Sequence, residues 1–472
     1  MKQDETTRVI LQVHAPAPFS RVRTVLFLSV AVCVFTILHG TPSVLVASEE
    51  TVHTRTFETA GTTLHETIVS QWGGHVKGRG AVSWPDEKTY VGAEGVNHLY
   101  DGSTELRLKN TLFVGAHLSF DCHYEAVLSG GDTRRKLREL ESRYPGISAS
   151  YTVFLGITED DRRLFDMSKI IDDEDNYVLY HRVDRLSLSY SPSWGLIRLG
   201  RQAVTWGNGF LFNPMDLFNP FAPSDIEREY KIGDDLLFTQ IVEKSGGDIQ
   251  FLCVPRRDPH TGDVKGSASS FAGKVHCTGG GVEYDVMAAA HYRDIVGGVG
   301  SAGYLGNAAW RLDAVYTFLD DTSVSGHYMS LVANIDYSWV WWNRNFYGYI
   351  EYYFNGLCHT NYTDALSDPN IRERIDRGEL FTLGRNYLNG HVTAEFHPLF
   401  NVYLTVITNI NDPSGALQPR AVWSVTQNTE LTFGGTVYFG GADTEYGGYI
   451  IAAADFRNVP PPVAYVWLAY YF

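Results

Sequence analysis

The sequence predicts an all-β protein: a transmembrane antiparallel β-barrel of about 16 strands (range 14–18) with an inward-folded constriction loop. Three observations carry this expectation: composition, a recurring long alternating segment, and the way the chain ends. Of 472 residues, 44% are hydrophobic, 13% aromatic and only 19% charged, with 45 glycines, 28 tyrosines and 25 phenylalanines against 5 methionines. A soluble domain carries about 25% charged residues. The apolar and aromatic content excludes a disordered chain. No apolar run longer than about 20 residues follows residue 50, which excludes a protein crossing a membrane on helices.

From about residue 97 onward, segments of 9 to 13 residues alternate with period two. In residues 430–439, Leu431, Phe433, Gly435, Val437 and Phe439 share one face, while Glu430, Thr432, Gly434, Thr436 and Tyr438 share the other. Residues 185–190 behave the same way, and similar segments recur near 103–114, 115–128, 235–243, 247–254, 283–293, 308–318, 327–340, 344–354, 387–396 and 401–410. Strands of soluble sandwiches and propellers average about five or six residues. Strands that cross a membrane need about 9–11, apolar outside and polar inside, with aromatic girdles at both rims. Strand length and the ring clusters at Trp339 to Trp342 and Tyr347 to Tyr353 favour the barrel.

The first residues give the compartment. Lys2, Arg8, Arg21 and Arg23 precede a 15-residue apolar stretch from Thr24 to Leu38, and a small residue, Ala47, stands before Ser48-Glu49-Glu50. This is the pattern of a cleaved signal peptide at 1–47. Residues 48–96 then lead into a barrel at 97–472. Removing residues 1–47 takes away four basic and two acidic residues, leaving 34 Lys and Arg against 52 Asp and Glu, a net charge of −18. Such a chain lacks the basic footprint that nucleic acid requires. No CxxC pair occurs, so no zinc or thioredoxin-like site is indicated, and no cofactor is expected. In an exported protein Cys253 and Cys277 could pair.

The last eleven residues alternate cleanly, with Val466, Leu468, Tyr470 and the terminal Phe472 on one face and Tyr465, Trp467 and Tyr471 on the other. This strand resembles the C-terminal signal that Gram-negative outer-membrane barrels present to their assembly machinery. The resemblance implies a bacterial outer-membrane location, with lipid, lipopolysaccharide and that machinery as partners and a homo-oligomer as a further option.

Four stretches depart from alternation. The charge runs at 131–147, 158–176 and 361–380 cannot face lipid and read as solvated external loops, the first with a helical turn. Residues 199–240 are different. Pro214, Pro220 and Pro223 prevent a paired strand, yet Trp206, Phe210, Phe212, Phe218 and Phe221 are too many rings for an exposed loop. The interior of its own barrel is the place available for such a segment. Arg198 and Gln202 share one face of the preceding strand, while Arg201 needs either a bulge at Gly200 or a place near the rim. An Arg facing lipid at mid-membrane costs roughly 2–4 kcal/mol.

The motif Gly200-Arg201-Gln202, Trp206-Gly207, Asn213-Pro214-Met215-Asp216 and Asn219-Pro220 resembles porin-like outer-membrane proteins, including the alginate-export type and related barrels of unknown function. The resemblance covers about 45 residues and implies an inward, proline-containing segment. The expected function is a channel for passive passage of small hydrophilic solutes, narrowed at about 206–235. The constriction candidates are Arg198, Arg201, Gln202, Trp206, Asn213, Asp216, Asn219, Asp225, Glu227, Arg228 and Glu229. The alternative is the outer-membrane part of a polysaccharide or other export complex, and alginate itself sits poorly with the negative net charge. An enzyme is not expected: no Gly-x-Ser-x-Gly elbow occurs, and His117, His123, His276, His291, His327, His391 and His397 are scattered.

Overall fold

The computed structural model describes residues 51–59, 62–143, 160–223, 225, 230–320, 326–451 and 456–472. The signal peptide read at 1–47 lies outside the described residues, as do Glu227, Arg228 and Glu229.

The chain opens with β1 (Thr51–Thr59) and β2 (Thr62–Ser83), followed by one helical turn, α1 (Tyr90–Ala93). Next come β3 (Leu99–Val114), β4 (Leu118–Gly131), helix α2 (Asp132–Arg143) and the short β5 (Ser168–Asp173). They lead to β6 (Tyr177–Tyr190), β7 (Gly195–Gln202), β8 (Asp234–Val242), β9 (Asp248–Val254) and β10 (Ser270–Gly279). β11 (Val282–His291), β12 (Asp294–Leu305), β13 (Ala308–Phe318), β14 (His327–Trp341) and β15 (Arg344–Asn355) continue the wall. Helices α3 (Tyr362–Ser367) and α4 (Pro369–Asp376) separate β15 from β16 (Asn386–His397). β17 (Phe400–Asn409), β18 (Ser414–Ser424) and β19 (Thr429–Phe439) precede the ribbon of β20 (Tyr449–Ile451) and β21 (Phe456–Asn458) and the last strand, β22 (Val463–Tyr471).

Eighteen antiparallel strands close on themselves, because β22 pairs with β19 on one edge and with β2 on the other. The closing ladder runs from Ser83↔Val463 to His75↔Tyr471, and Gly74 and Phe472 exchange backbone hydrogen bonds of 2.8 and 3.1 Å. A closed barrel leaves no edge unpaired, which is what a lipid environment requires of strands. The eighteen strands correct the expected number of about sixteen. The barrel also begins before residue 97, since β2 is a wall strand. The strands that alternation hid are poor in side chains. β12 carries Gly297, Gly298, Gly300 and Gly303, β2 carries Gly73, Gly74, Gly78 and Gly80, and β18 carries Pro419.

Alternation separates two faces throughout. On β13, Leu312, Tyr316 and Phe318 are exposed on the outside, while Asp313, Val315 and Thr317 are buried on the inside. Short turns join β3 to β4, β6 to β7, β10 to β11 and β14 to β15, all at the end where β22 stops. At the β14–β15 turn Trp342 and Asn343 both take positive φ, 49° and 53°, the backbone of a tight two-residue hairpin. The opposite end carries α1, α2, α3 and α4 in longer connections. The charge run after β4 thus folds as a helix, with Asp132 in its first turn and Arg143 in its last, both favourable to the helix dipole.

Cys253 and Cys277 do not pair. Cys253 faces Phe271 across the β9–β10 ladder, whereas Cys277 lies near the other end of β10, opposite Tyr284 of β11.

The chain leaves the wall after Gln202 at the end of β7 and rejoins it at Asp234, the start of β8. The space beside the upper part of β6 is taken by β5 and the residues before it. β5 pairs with β6, Val183 N donates to Met167 O at 3.0 Å, and Arg257 N donates to Arg162 O at 2.9 Å. A segment from the preceding connection therefore completes the wall where β7 and β8 part.

Candidate functional site

Residues 203–223 contain three prolines and have no sheet partner among the described residues, so their remaining N–H groups need other acceptors. The inner wall supplies two carboxylates. Glu351 of β15 is fully buried and accepts from Phe210 N at 2.6 Å, Leu211 N at 2.9 Å and Phe212 N at 3.0 Å. Asp313 of β13 accepts from Asn208 N at 2.6 Å and Asn208 Nδ2 at 2.8 Å. Asn334 of β14 joins both ends, donating to Asn208 O at 3.0 Å and Glu351 Oε2 at 3.3 Å. Three successive N–H groups converging on one carboxylate form an anion nest, here used to fasten a chain to a wall.

Apolar packing follows the same route. Trp206, Met215 and Phe218 bury against Leu236, Leu252, Met287, Val296 and Val315 on the inner faces of β8 to β13. Leu211 and Phe212 pack on Val332, Tyr353, Tyr387 and Ile407 of β14 to β17. Phe212 stacks on Tyr353 with ring centres 4.3 Å apart. Burying one such side chain fully contributes about 1.5–3 kcal/mol, so these rings outweigh any single hydrogen bond in holding the segment.

The sequence candidates fall into distinct places. Arg198 is half-buried, its Nε donating to Ser189 Oγ at 2.8 Å. Gln202 is buried and donates to the carbonyls of Arg198 and Leu236, both at 3.2 Å. Trp206 is 2% exposed and donates Nε1 to Gln250 Oε1 at 2.7 Å, and Asn213 donates to Trp206 O at 2.8 Å. Asp216 is buried against Lys231, with Nζ 2.6 Å from Oδ2, and Lys231 also donates to Val204 O at 2.6 Å. Burial raises the Asp216 carboxyl to about 6 despite the Lys231 charge beside it, and burial likewise lowers the Lys231 ammonium. Asn219 takes φ 52°, and Asp225 accepts from Ala222 N at 3.0 Å. Trp206, Asn213, Asp216 and Gln202 thus tie the segment to itself and to the wall.

Arg201 shows how the rim disposes of a cation. The β6–β7 register runs without a shift, so Gly200 makes no bulge, contrary to one of the two expectations. Gly200 instead takes φ 120°, and a Cβ there would lie 2.2 Å from Leu186 O. Arg201 sits at the end of β7, buried, with Nη1 2.9 Å from Asp160 Oδ2 and Nε 2.9 Å from Asp235 Oδ1. Burial alone would raise the Asp160 carboxyl, but Arg163 and Arg201 hold it below the ordinary range. Arg256 pairs with Asp234 at 2.5 Å in the same seam.

Two sets of residues were not singled out from sequence. Glu351 and Asp313 stood as single inward acids on strands, with nothing in the chain to reveal their distant partners. The second set lines β2, β3, β4 and β6. There Glu105 meets His75 and Arg79, both at 2.9 Å, and Arg107 reaches Asp184 at 2.8 Å and Glu125 at 3.2 Å. Glu125 also takes Arg182 at 2.5 Å. Tyr230 of the inward segment lies over Arg107 and Lys109, 4.3 and 4.2 Å from its ring centre.

Val466 is exposed on the outer face of β22, and Leu468, Tyr470 and Phe472 follow it on that face, alternating with buried Ala469. No family model matches the chain, and no curated protein matches it. Among solved structures, OccAB1 of Acinetobacter baumannii is similar at a TM-score of 0.49 and 8% identity, covering 85% of this chain and 96% of that one. A BenF-like porin from Pseudomonas fluorescens gives 0.48 and 9%, covering 85% and 98%. OpdL of Pseudomonas aeruginosa gives 0.47 and 10%, again covering 85% and 98%. None of the three is described as an alginate exporter, and that resemblance rests on the motif from Gly200 to Pro220 alone.

Proposed function

We propose that the protein is a porin-like channel of a Gram-negative outer membrane, passing small hydrophilic solutes passively and narrowed by its 206–235 segment. The observation that carries this reading is the fastening of residues 208–212 to the inner wall by Glu351 and Asp313. A barrel with apolar side chains outside and a polar, charged inside has the build of a water-filled pore, and a chain lying along that inside reduces its width. Selectivity would come from pore width and from charges at the narrow level. The short-turn end would face the periplasm and the helix-bearing end the exterior. Val466, Leu468, Tyr470 and Phe472 would serve as the assembly signal, and residues 1–47 as the export signal.

Planar-bilayer conductance tests the proposal. Wild type is expected to conduct, and a variant lacking residues 208–232 is expected to conduct more. If neither conducts, the channel reading fails; if only the deletion conducts, the segment is a plug. As a check on the barrel in solution, unheated protein refolded in detergent should migrate faster on a gel than boiled protein.

A further inference from the structure

At the helix-bearing end two connections lie across the mouth instead of spreading into solvent. The first, between β15 and β16, carries α3 and α4 and reaches the tops of β11 and β12, on the far side of β13 and β14. Glu379 Oε1 lies 3.0 Å from His291 Nε2, Arg374 pairs with Asp294, and the Arg377 guanidinium covers the Tyr292 ring at 3.7 Å. Residues 361–380 are therefore no solvated loop: Tyr362, Ile371 and Leu380 bury together with Leu357 and Cys358. The second connection, residues 440–448 between β19 and β20, leans back over β16 and β17. Its Tyr446 packs beside Leu211 and Phe212 of the inward segment and Tyr387 and Ile407 of the wall, and the Tyr449 ring that follows lies 5.5 Å from Tyr362. A cavity of about 100 Å³ is left between the inward segment, at Phe212, Pro220 and Phe221, and the first connection, at Leu380, Phe381 and Thr382.

The two connections meet on one carboxylate. Glu445 accepts from Leu383 N at 2.7 Å and Gly384 N at 3.3 Å in the first connection, and from Tyr387 Oη at 2.5 Å and Asn409 Nδ2 at 2.9 Å on the wall. All four are neutral donors, whereas the wall acids Glu105 and Glu125 face arginine. Its own backbone N–H donates to Asp412 Oδ2 at 2.6 Å. The stretch around Glu445 otherwise closes on itself, with Asp443 N donating to Gly448 O at 2.9 Å and Gly448 N to Thr444 O at 3.0 Å. Gly440 and Gly448 bound it with φ 154° and 98°, conformations that glycine adopts at little cost. Residues 441–447 thus form a compact lobe between two glycine ends, tied down chiefly through one side chain.

We propose that residues 440–448 are a strap that holds the mouth partly shut, with Glu445 as its latch. The proposal rests on the channel reading: the strap and the first connection form a second barrier, in series with the inward segment. When Glu445 leaves its cradle, Tyr446 withdraws from Phe212 and Tyr387, and the way from the mouth to the lumen widens. Release exchanges hydrogen bonds within the protein for hydrogen bonds to water, and the net difference of such an exchange is small, so both positions of the strap are within reach.

The test uses full-length refolded protein and two readouts. Cys358 is fully buried in the cluster beneath the strap, its Sγ donating to Thr382 O at 3.6 Å, so it reports opening. A water-soluble maleimide should modify it slowly in wild type and roughly tenfold faster in Glu445→Ala, the scale of one net hydrogen bond, with peptide mapping to separate it from the other cysteines. In planar bilayers Glu445→Ala should carry more current than wild type, and more again when residues 208–232 are also removed, because resistances in series add. Tyr387→Phe, which removes one donor and keeps the ring, should shift both readouts the same way by less; it decides the matter if Glu445→Ala loses the gel mobility of a folded barrel. Modification of Cys358 no faster than in wild type overturns the latch, and faster modification with an unchanged current overturns the gate. Faster modification in a protein that never conducts supports the latch and sinks the channel reading alone.

Discussion

The inner faces of β2 to β6 and of β15 to β22 are built on the same pleat, yet different forces organise them. The first is ionic and closed on itself. Arg107 is buried among Glu105, Glu125 and Asp184, and Tyr230 of the inward segment covers it. The second carries the half-buried rings of Tyr349, His391, Tyr403, Tyr465 and Trp467 beside a single fully buried carboxylate, Glu351, that holds backbone N–H groups. The difference teaches that charge inside this barrel is not the same thing as charge offered to a solute. Buried charges that satisfy one another set the shape of the wall, whereas half-buried side chains keep part of their surface uncovered.

The largest effect that would break this contrast lies on the ionic side. Arg107→Ala leaves three buried carboxylates short of their shared cation and should destabilise the barrel by about 3–5 kcal/mol. Urea unfolding followed by gel mobility would show it, and an effect below about 1 kcal/mol would mean that water replaces the guanidinium. Next comes the fastening of the inward segment. Glu351→Gln replaces a charged acceptor of three N–H groups by a neutral one and should weaken the attachment by about 1.5–3 kcal/mol. Protease cleavage within residues 208–230 should speed up accordingly, while the barrel itself stays folded.

A smaller effect depends on pH. Burial holds the Asp216 carboxyl at about 6, above its ordinary 3.8, so the folded form takes up the proton first as pH falls. The linkage sign follows: the folded state binds more protons than the unfolded state between those values, so attachment strengthens as pH drops from about 6 toward 4. Cleavage of the segment in wild type should therefore be slower at pH 5 than at pH 7, and Asp216→Asn should flatten that difference. The smallest effect is at the surface. Lys136 of α2 bridges Glu94, just after α1, and Glu139 at 2.6 and 3.0 Å, and Lys136→Ala should change stability by less than about 1 kcal/mol.

Much of the architecture was legible in the chain because a barrel wall writes its two faces into every second residue. Residues 430–439 and 462–472 show this most openly, and both are wall strands. Where glycine occupies the alternating positions, as in β12, the period has nothing to display, and strands are lost from the count. That residues 203–223 leave the strand ladder was readable from prolines beside rings. Their fastening was not, because Glu351 lies 140 residues from Leu211 in the chain and no local pattern relates them. The partner of Arg201 was hidden for a similar reason: Asp160 comes from the connection before β6, so the strand pattern alone could not say what would meet the guanidinium.

The ladder between β22 and β2 carries one more consequence. Its two strands lie far apart in the chain, so the sheet stays open until β22 has docked. Until then β2 and β19 each present a row of unsatisfied backbone groups to whatever lies alongside. A barrel without β22 is thus not a slightly smaller barrel but a sheet with two adhesive margins, which makes the docking of that strand a precondition for sealing.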